Sequence, residues 1–223
     1  YNIILRDATH IAVVSDLLKK CLLQISPNWH GRMQVVPTRV QPVLPLRDAD
    51  KNAHTPFRFV YIGRFTAVKN LPFLIDVLRR LVEQGSVFEM TFIGEGEGED
   101  AIRTATKQFS QVCIRPAISR EEVAEVLADA DLLLLPSMTD IYPQIVLESL
   151  QTGTPVVMTT EHGLEAGFGG IRTASPTDKD AWVRTLTEVM EVEEYQEFQK
   201  QIHIPPVSTS WTDILANLCH VSL

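Results

Sequence analysis

The sequence predicts an α/β protein built on a doubly wound parallel sheet, and two observations carry that expectation. From Phe57 to Val157 apolar strand-like runs alternate with helical segments, the pattern of successive βαβ units. Within it, Asp131 to Val157 holds four consecutive leucines (Leu132 to Leu135) stopped by Pro136, a polar loop, a helix opening near Pro143 or Gln144, and Gly153 before a second apolar run. A leucine run without alternation suits a strand buried on both faces, as in a parallel sheet flanked by helices. In such sheets ligands sit beyond the carboxyl ends of the strands, so Ser137 to Gln144 is where chemistry is expected.

Taken in order, Ile11 to Val14 reads as a short strand. Asp16 to Leu23 reads as a helix whose Leu17, Leu18, Cys21 and Leu22 share a face, and Met33 to Val36 as a second strand. Prolines 37, 42, 45 and 56 then fall among residues without an apolar period, which marks a linker. The main domain opens with a strand at Phe57 to Ile62. A helix over Leu71 to Glu83 follows, its Leu74, Val77, Leu78 and Leu81 at helical spacing and Pro72 tolerated in the first turn. Val87 to Ile93 is a strand, and a polar helix runs to about Gln108. Val112 to Ile114 is a strand, and Ser119 with Glu122 fits a capping box for a helix to about Ala128. Ile171 to Thr173 reads as a last strand, and helices are expected over Asp180 to Met190, Glu193 to Ile202 and Ser210 to Leu218.

At 223 residues the chain suffices for one large domain, or for one domain and part of another, and 45% hydrophobic content supports a core. A formal charge of −8 without a basic block argues against a nucleic-acid surface, so an anionic ligand must be held by specific residues. Cys21, Cys113 and Cys219 show neither disulfide nor metal spacing; they are expected to be core thiols in a reducing, cytoplasmic setting. No stretch approaches the roughly 18 apolar residues of a membrane span. The chain begins at Tyr1 rather than methionine, which points to a piece of a longer protein.

Several constellations could carry chemistry. Arg64 and Lys69 flank a loop directly after the first main strand, where a guanidinium fork and a mobile ammonium could hold a diphosphate; the alternative is two solvated charges. Gly94, Gly96 and Gly98 alternate with acids. This spacing is not GxGxxG, and the acids would repel a pyrophosphate, so a tight turn letting a ligand approach the backbone is expected rather than a dinucleotide site. Asp129 and Asp131 form a DxD, but at the amino end of a buried strand, and read as a helix-to-strand joint. Asp140 precedes a helix and Glu148 lies two turns later, so the two carboxylates could bracket a ligand lying across the helix N-terminus; Glu148 could equally be an exposed residue on a polar stripe. Of the six histidines only His162 falls near that site, and it could be a solvated loop residue.

Together these residues resemble the C-terminal domain of a GT-B glycosyltransferase of family four, the group 1 glycosyl transferases. Phe59-Val60-Tyr61-Ile62-Gly63-Arg64 with Lys69-Asn70 resembles the family's "yvGR…Kn" loop, and Thr91-Phe92-Ile93-Gly94-Glu95-Gly96 its "ivGdG" turn. Leu135-Pro136-Ser137, Asp140, Glu148-Ser149 and Gly153-Thr154-Pro155-Val156-Val157 resemble "lPS..E…….EA…G.PVv". More weakly, Ala8 to Asp16 resembles the last strand and helix of the N-terminal domain, Met33 to Pro37 the strand entering the hinge, and Trp211 a C-terminal tryptophan.

The resemblance implies a doubly wound Rossmann-like parallel sheet, the C-terminal half of a GT-B fold. Residues 1–37 would be a remnant of the N-terminal acceptor domain, 38–56 a linker, 57–205 the nucleotide-sugar-binding domain and 206–223 a C-terminal helix. It also implies a retaining transferase without a metal, whose donor is a UDP-, GDP- or ADP-sugar. The sugar, lipid-linked or polysaccharide acceptor, and any peripheral membrane contact, would come through the missing N-terminal domain, so that this chain binds donor and transfers nothing alone. Arg64 and Lys69 would hold the diphosphate, and Glu148 the ribose. Asp140 would hold the sugar, with the loop around Arg115 near the base and Gly63, Gly94, Gly96, Gln144 and Ile145 along the donor. Two departures stand out: Asp140 replaces a glutamate, and Pro143 lies where glycine is usual. They leave a non-catalytic nucleotide-sugar-binding or partner-binding domain as the second expectation.

Overall fold

The structure, a computed structural model, describes residues 7–37, 52–164 and 166–205. Most of the expected linker, the expected helix at Ser210 to Leu218, Trp211 and Cys219 lie outside the described residues.

Strand β1 (Ile11–Val13), helix α1 (Asp16–Ile25), a 3₁₀ turn (Pro27–Arg32) and strand β2 (Met33–Val35) form a small unit. Its strands pair in parallel, Ile11 opposite Met33, over a core of Ile11, Val13, Trp29 and Met33. Ser15 caps α1, its hydroxyl accepting from the Leu18 amide at 3.2 Å. No residue of α1 is buried: Leu17, Leu18 and Leu22 are half covered, and Cys21 is exposed.

The larger unit follows the expected alternation. It comprises β3 (Phe57–Ile62), α2 (Leu71–Glu83), β4 (Phe88–Ile93), α3 (Glu99–Thr106), β5 (Val112–Arg115), α4 (Arg120–Asp129) and β6 (Leu132–Leu135). After these come α5 (Gln144–Gln151), β7 (Val156–Thr159), β8 (Ile171–Ala174), α6 (Lys179–Val189) and α7 (Val192–Lys200). All six main strands are parallel, in the order β5-β4-β3-β6-β7-β8. Every residue of β6 and β7 is buried, as expected for central strands of a two-sided parallel sheet.

Local chemistry explains the boundaries. Ser119 and Glu122 close the expected capping box on α4, each side chain bonding the other's amide. Gly153, at φ 78°, ends α5 where a side chain would be strained. On one face of the sheet Phe57, Phe59, Phe88, Met90 and Phe92 form the floor of the core, beneath a helical layer of α2 and α6 in which Trp182 is fully buried edge-on to Phe73.

The DxD lies at this floor's amino edge, as a joint. Asp129 pairs with Arg58 at 2.9 Å, and the fully buried Asp131 carboxylate accepts from the amides of His54 and Arg58. The cysteine expectation fails also at Cys113, which is exposed. It sits on the four-residue edge strand β5, whose alternate side chains no helix covers.

The strand order decides where the site lies. From β3 the chain steps outward to β4 and β5, returns across the sheet to β6 beside β3, and then steps the other way to β7 and β8. At that reversal the chain leaves β3 and β6 for helices on opposite faces of the sheet, the place where sheets of this kind form a ligand crevice.

Candidate functional site

The crevice wall on the β3 side is residues 63–70. The Gly63 amide donates to Ile93 O at 2.9 Å and the Phe65 amide to Glu95 O at 2.8 Å, which zips this loop to the one after β4. Tyr61, fully buried, donates its hydroxyl to Arg64 O at 2.8 Å; burial pushes the phenol above its ordinary range, so it stays a donor. Arg64 is thereby held at the rim with its side chain exposed. Sequence reading took Tyr61 for one more strand aromatic, and only its place beside the turn reveals its role. Asn70, left-handed at φ 55°, donates to Pro136 O and Pro176 O and so ties together the loops after β3, β6 and β8.

Gly94 and Gly96 are also required by packing. A Cβ on Gly94 would lie 1.9 Å from Gly63 O, and one on Gly96 would lie 2.6 Å from Phe65 O. The absent side chains make room for the neighbouring loop, and Gly94 also lines the hollow beside it. Gly94→Ala is therefore expected to destabilise the fold by about 1 to 3 kcal/mol and to loosen the Arg64 turn; urea denaturation measures the first, and a cost below about 0.5 kcal/mol would contradict the packing. Beside this junction a hollow of about 220 Å³ is lined by Ile62, Arg64, Ile93, Ala117, Ile118 and Val123, among others. The Arg115 carbonyl accepts from the Gly94 amide, but its side chain lines a separate groove with Arg58, Glu89 and Asp129; the loop after it, not its guanidinium, borders the hollow.

The opposite wall is the loop after β6. The Met138 amide donates to Val68 O at 2.8 Å, joining the two walls, and the Lys69 ammonium donates to Asp140 at 2.5 Å, with both side chains mostly buried. The Asp140 backbone is clamped in turn: its amide donates to Glu161 O, and its carbonyl accepts from the Gly163 amide. His162 thus sits opposite Asp140. Its Nδ1 accepts from the Leu164 amide, and burial lowers its pKa against the pull of Asp140 and Glu161, so the ring is neutral with its proton on Nε2.

Helix α5 begins behind this loop. No side chain caps it, since Pro143 precedes it, and Gln144 and Ile145 form its half-buried first turn. The first amides of a helix lack intrahelical partners and carry the positive end of its dipole, which suits an anion. Glu148 is not the exposed stripe residue of the alternative reading, because its side chain is only 16% exposed. Burial raises its pKa, and Arg120, 3.7 Å away, opposes the rise. The hydroxyls of Thr66 and Ser137, one on each wall, are buried without a hydrogen-bond partner among the described residues.

The crevice therefore gathers an exposed guanidinium, an ammonium held by one carboxylate, an uncapped helix N-terminus and a half-buried carboxylate beside an apolar hollow. That set can hold an extended ligand with an anionic centre, a hydroxylated portion and a flat apolar end. Comparison with known families matches residues 56–191 to the family described as glycosyl transferases group 1. The chain belongs to that family. It is 33% identical over 142 residues to the amylovoran biosynthesis glycosyltransferase AmsK of Erwinia amylovora, a match covering 60% of this chain and 34% of AmsK.

Among solved structures, the lipopolysaccharide outer core galactosyltransferase WaaB in its apo form superposes with a TM-score of 0.69 at 19% identity, covering 97% of this chain and 63% of that one. The pneumococcal O-GlcNAc transferase GtfA in complex with UDP and GlcNAc gives 0.69 at 12% identity, over 96% and 46%. The fold of this group 1 chain is thus that of a GT-B glycosyltransferase's C-terminal-type domain, and the chain spans about a third of AmsK's length. Among the described residues no helix is long and apolar enough to cross a membrane.

Proposed function

We propose that this chain is the donor-binding half of a retaining glycosyltransferase that moves a sugar from a nucleoside diphosphate to an acceptor bound by the part of the protein upstream of it. The observation that supports the reading is the strand-order reversal, at whose carboxyl edge lie the loops of Arg64 and Lys69 and of Asp140 and the start of α5, the helix of Glu148. Arg64 and Lys69 hold the diphosphate, Glu148 accepts from the ribose hydroxyls, and the hollow beside Ile118 takes the base. Asp140 accepts from the hexose once the diphosphate has drawn Lys69 away from it. In the transfer the anomeric carbon–phosphate oxygen bond breaks and a bond from the acceptor oxygen to that carbon forms. The leaving phosphate takes the acceptor proton, and the two cations with the helix dipole stabilise the departing charge.

The UDP held by the GtfA structure is consistent with this reading of the donor. Two cations and a helix N-terminus can neutralise a diphosphate without a divalent ion, so we propose metal independence; a chelator is then expected to leave donor binding intact, and loss of binding in EDTA would overturn it. The small β1–α1–β2 unit would be the last piece of the acceptor-binding domain, and the reaction would take place in the cytoplasm. Alone, the chain should bind donor without transferring it. The test is thermal shift against UDP-, GDP- and ADP-sugars, since only a ligand favouring the native state raises its melting temperature. A rise with one base is expected, and no rise with any of the three would overturn the reading.

A second reading has its own observation. Asp140 is already engaged by Lys69, and Pro143 removes an amide donor from the start of α5, as in a site that binds without turning over. Donor binding by the full-length protein without transfer or donor hydrolysis would favour a non-catalytic nucleotide-sugar-binding or partner-binding domain.

A further inference from the structure

Arg120 is placed against the ordinary rules of helix design. It is the first residue of α4, where the helix dipole disfavours a cation, while the next two residues, Glu121 and Glu122, follow the rule. Helix stability does not account for it. Its guanidinium points across to α5 and stands 3.7 Å from the Glu148 carboxylate, a charge contact longer than a hydrogen bond. Along the chain it falls between Ile118 and Val123, which line the apolar hollow. Arg120 thus lies beside Glu148 and close in sequence to the lining of the hollow.

We propose that Arg120 is a positioning residue of the donor site, holding the Glu148 carboxylate in place as the acceptor of the ribose hydroxyls. The inference rests on the reading of Glu148 given above. An ionised carboxylate offers both oxygens as acceptors to a pair of hydroxyls, whereas a protonated one turns one of them into a donor. Glu148 is half buried, which favours the protonated form, and Arg120 is the charge that opposes this. Strand β7, packed beneath α5, carries no ionisable side chain. The other titratable groups of the crevice are Arg64, Lys69, Asp140, Glu161 and His162, on the loops, and α4, packed on α5, carries Glu121, Glu122, Glu125 and Asp129 besides Arg120.

The sign follows directly. Nucleotide affinity should fall as pH drops through the Glu148 pKa, and removing Arg120 should move that fall to higher pH. Calorimetric titration with UDP, GDP and ADP between pH 5 and 8 tests this on the wild type and on Arg120→Gln, Arg120→Lys and Glu148→Gln. For the nucleotide that binds, Arg120→Gln is expected to lose about two- to fivefold in affinity at pH 5 and to match the wild type at pH 8. Arg120→Lys should restore most of the loss, because it keeps the charge. Glu148→Gln should bind weakly at every pH, any slope left in it belonging to His162 or to the terminal phosphate of the nucleotide, whose second ionisation lies at about pH 6.

An equal loss for Arg120→Gln at pH 5 and pH 8, or none at either, would overturn the positioning role while leaving Glu148 as the ribose residue. Full affinity in Glu148→Gln would overturn the reading beneath it, and the inference with it.

Discussion

Asp131→Ala is expected to lower the stability of the chain by about 3 to 5 kcal/mol, the range found when one partner of a buried charged network is removed. The carboxylate is fully buried at the amino end of β6. One oxygen accepts from the amides of His54 at 3.1 Å and Arg58 at 2.8 Å, and the other pairs with the His54 ring at 2.9 Å. Alanine would leave those donors inside the protein without partners, and each orphan costs about 1 to 3 kcal/mol. Because Arg58 opens β3 and Asp131 leads into β6, the loss falls on the central strand pair of the sheet. Urea denaturation of the variant gives the value, and a change below about 1 kcal/mol would mean that water replaces the carboxylate. The residue lies at the opposite edge of the sheet from the crevice, so nucleotide affinity at low temperature should be unchanged.

Lys69→Ala and Asp140→Asn are expected to shift nucleoside-diphosphate affinity in opposite directions. On the proposed assignment Lys69→Ala should weaken UDP, GDP or ADP, whichever binds, by about 1.5 to 3 kcal/mol, the worth of a charged hydrogen bond to phosphate. Arg64→Ala should do the same. In the empty crevice, however, the Lys69 ammonium is held by Asp140 at 2.5 Å, and both side chains are less than a quarter exposed. An incoming diphosphate must compete with that carboxylate and is repelled by it. Asp140→Asn removes both obstacles, so the bare diphosphate should bind more tightly by up to about 1 kcal/mol. The same variant should lose the extra affinity that the hexose brings, since an amide is a weaker acceptor than a carboxylate. Calorimetry on each variant with nucleotide and nucleotide-sugar separates these effects. Unchanged affinity in both Lys69→Ala and Arg64→Ala would end the phosphate assignment.

Much of this architecture was legible in the residues themselves, wherever the physics is local. Leu132 to Leu135 could only be a strand buried on both faces, α2 kept its predicted limits of Leu71 and Glu83, and the capping box of Ser119 and Glu122 formed as spaced. The carboxyl-edge rule directed attention to Arg64, Lys69, Asp140 and Glu148 before any coordinates. Other properties depend on which segments meet across long stretches of chain, and no local pattern encodes that.

The strand order placed β6 beside β3, and so set Asp140 on Lys69, 71 residues away in sequence. The zipping of two loops made Gly94 and Gly96 packing necessities, and the bare face of an edge strand left Cys113 exposed. Tyr61 and Arg120 gained their roles in the same way, as an ordinary aromatic and an ordinary surface cation until the turn at Arg64 and the carboxylate of Glu148 were brought to them. A chain's periodicities fix which elements form, because hydrogen bonding and burial within an element are set by near neighbours. Which side chains share a site is fixed by the packing of one element on another, and there only the folded sheet decides.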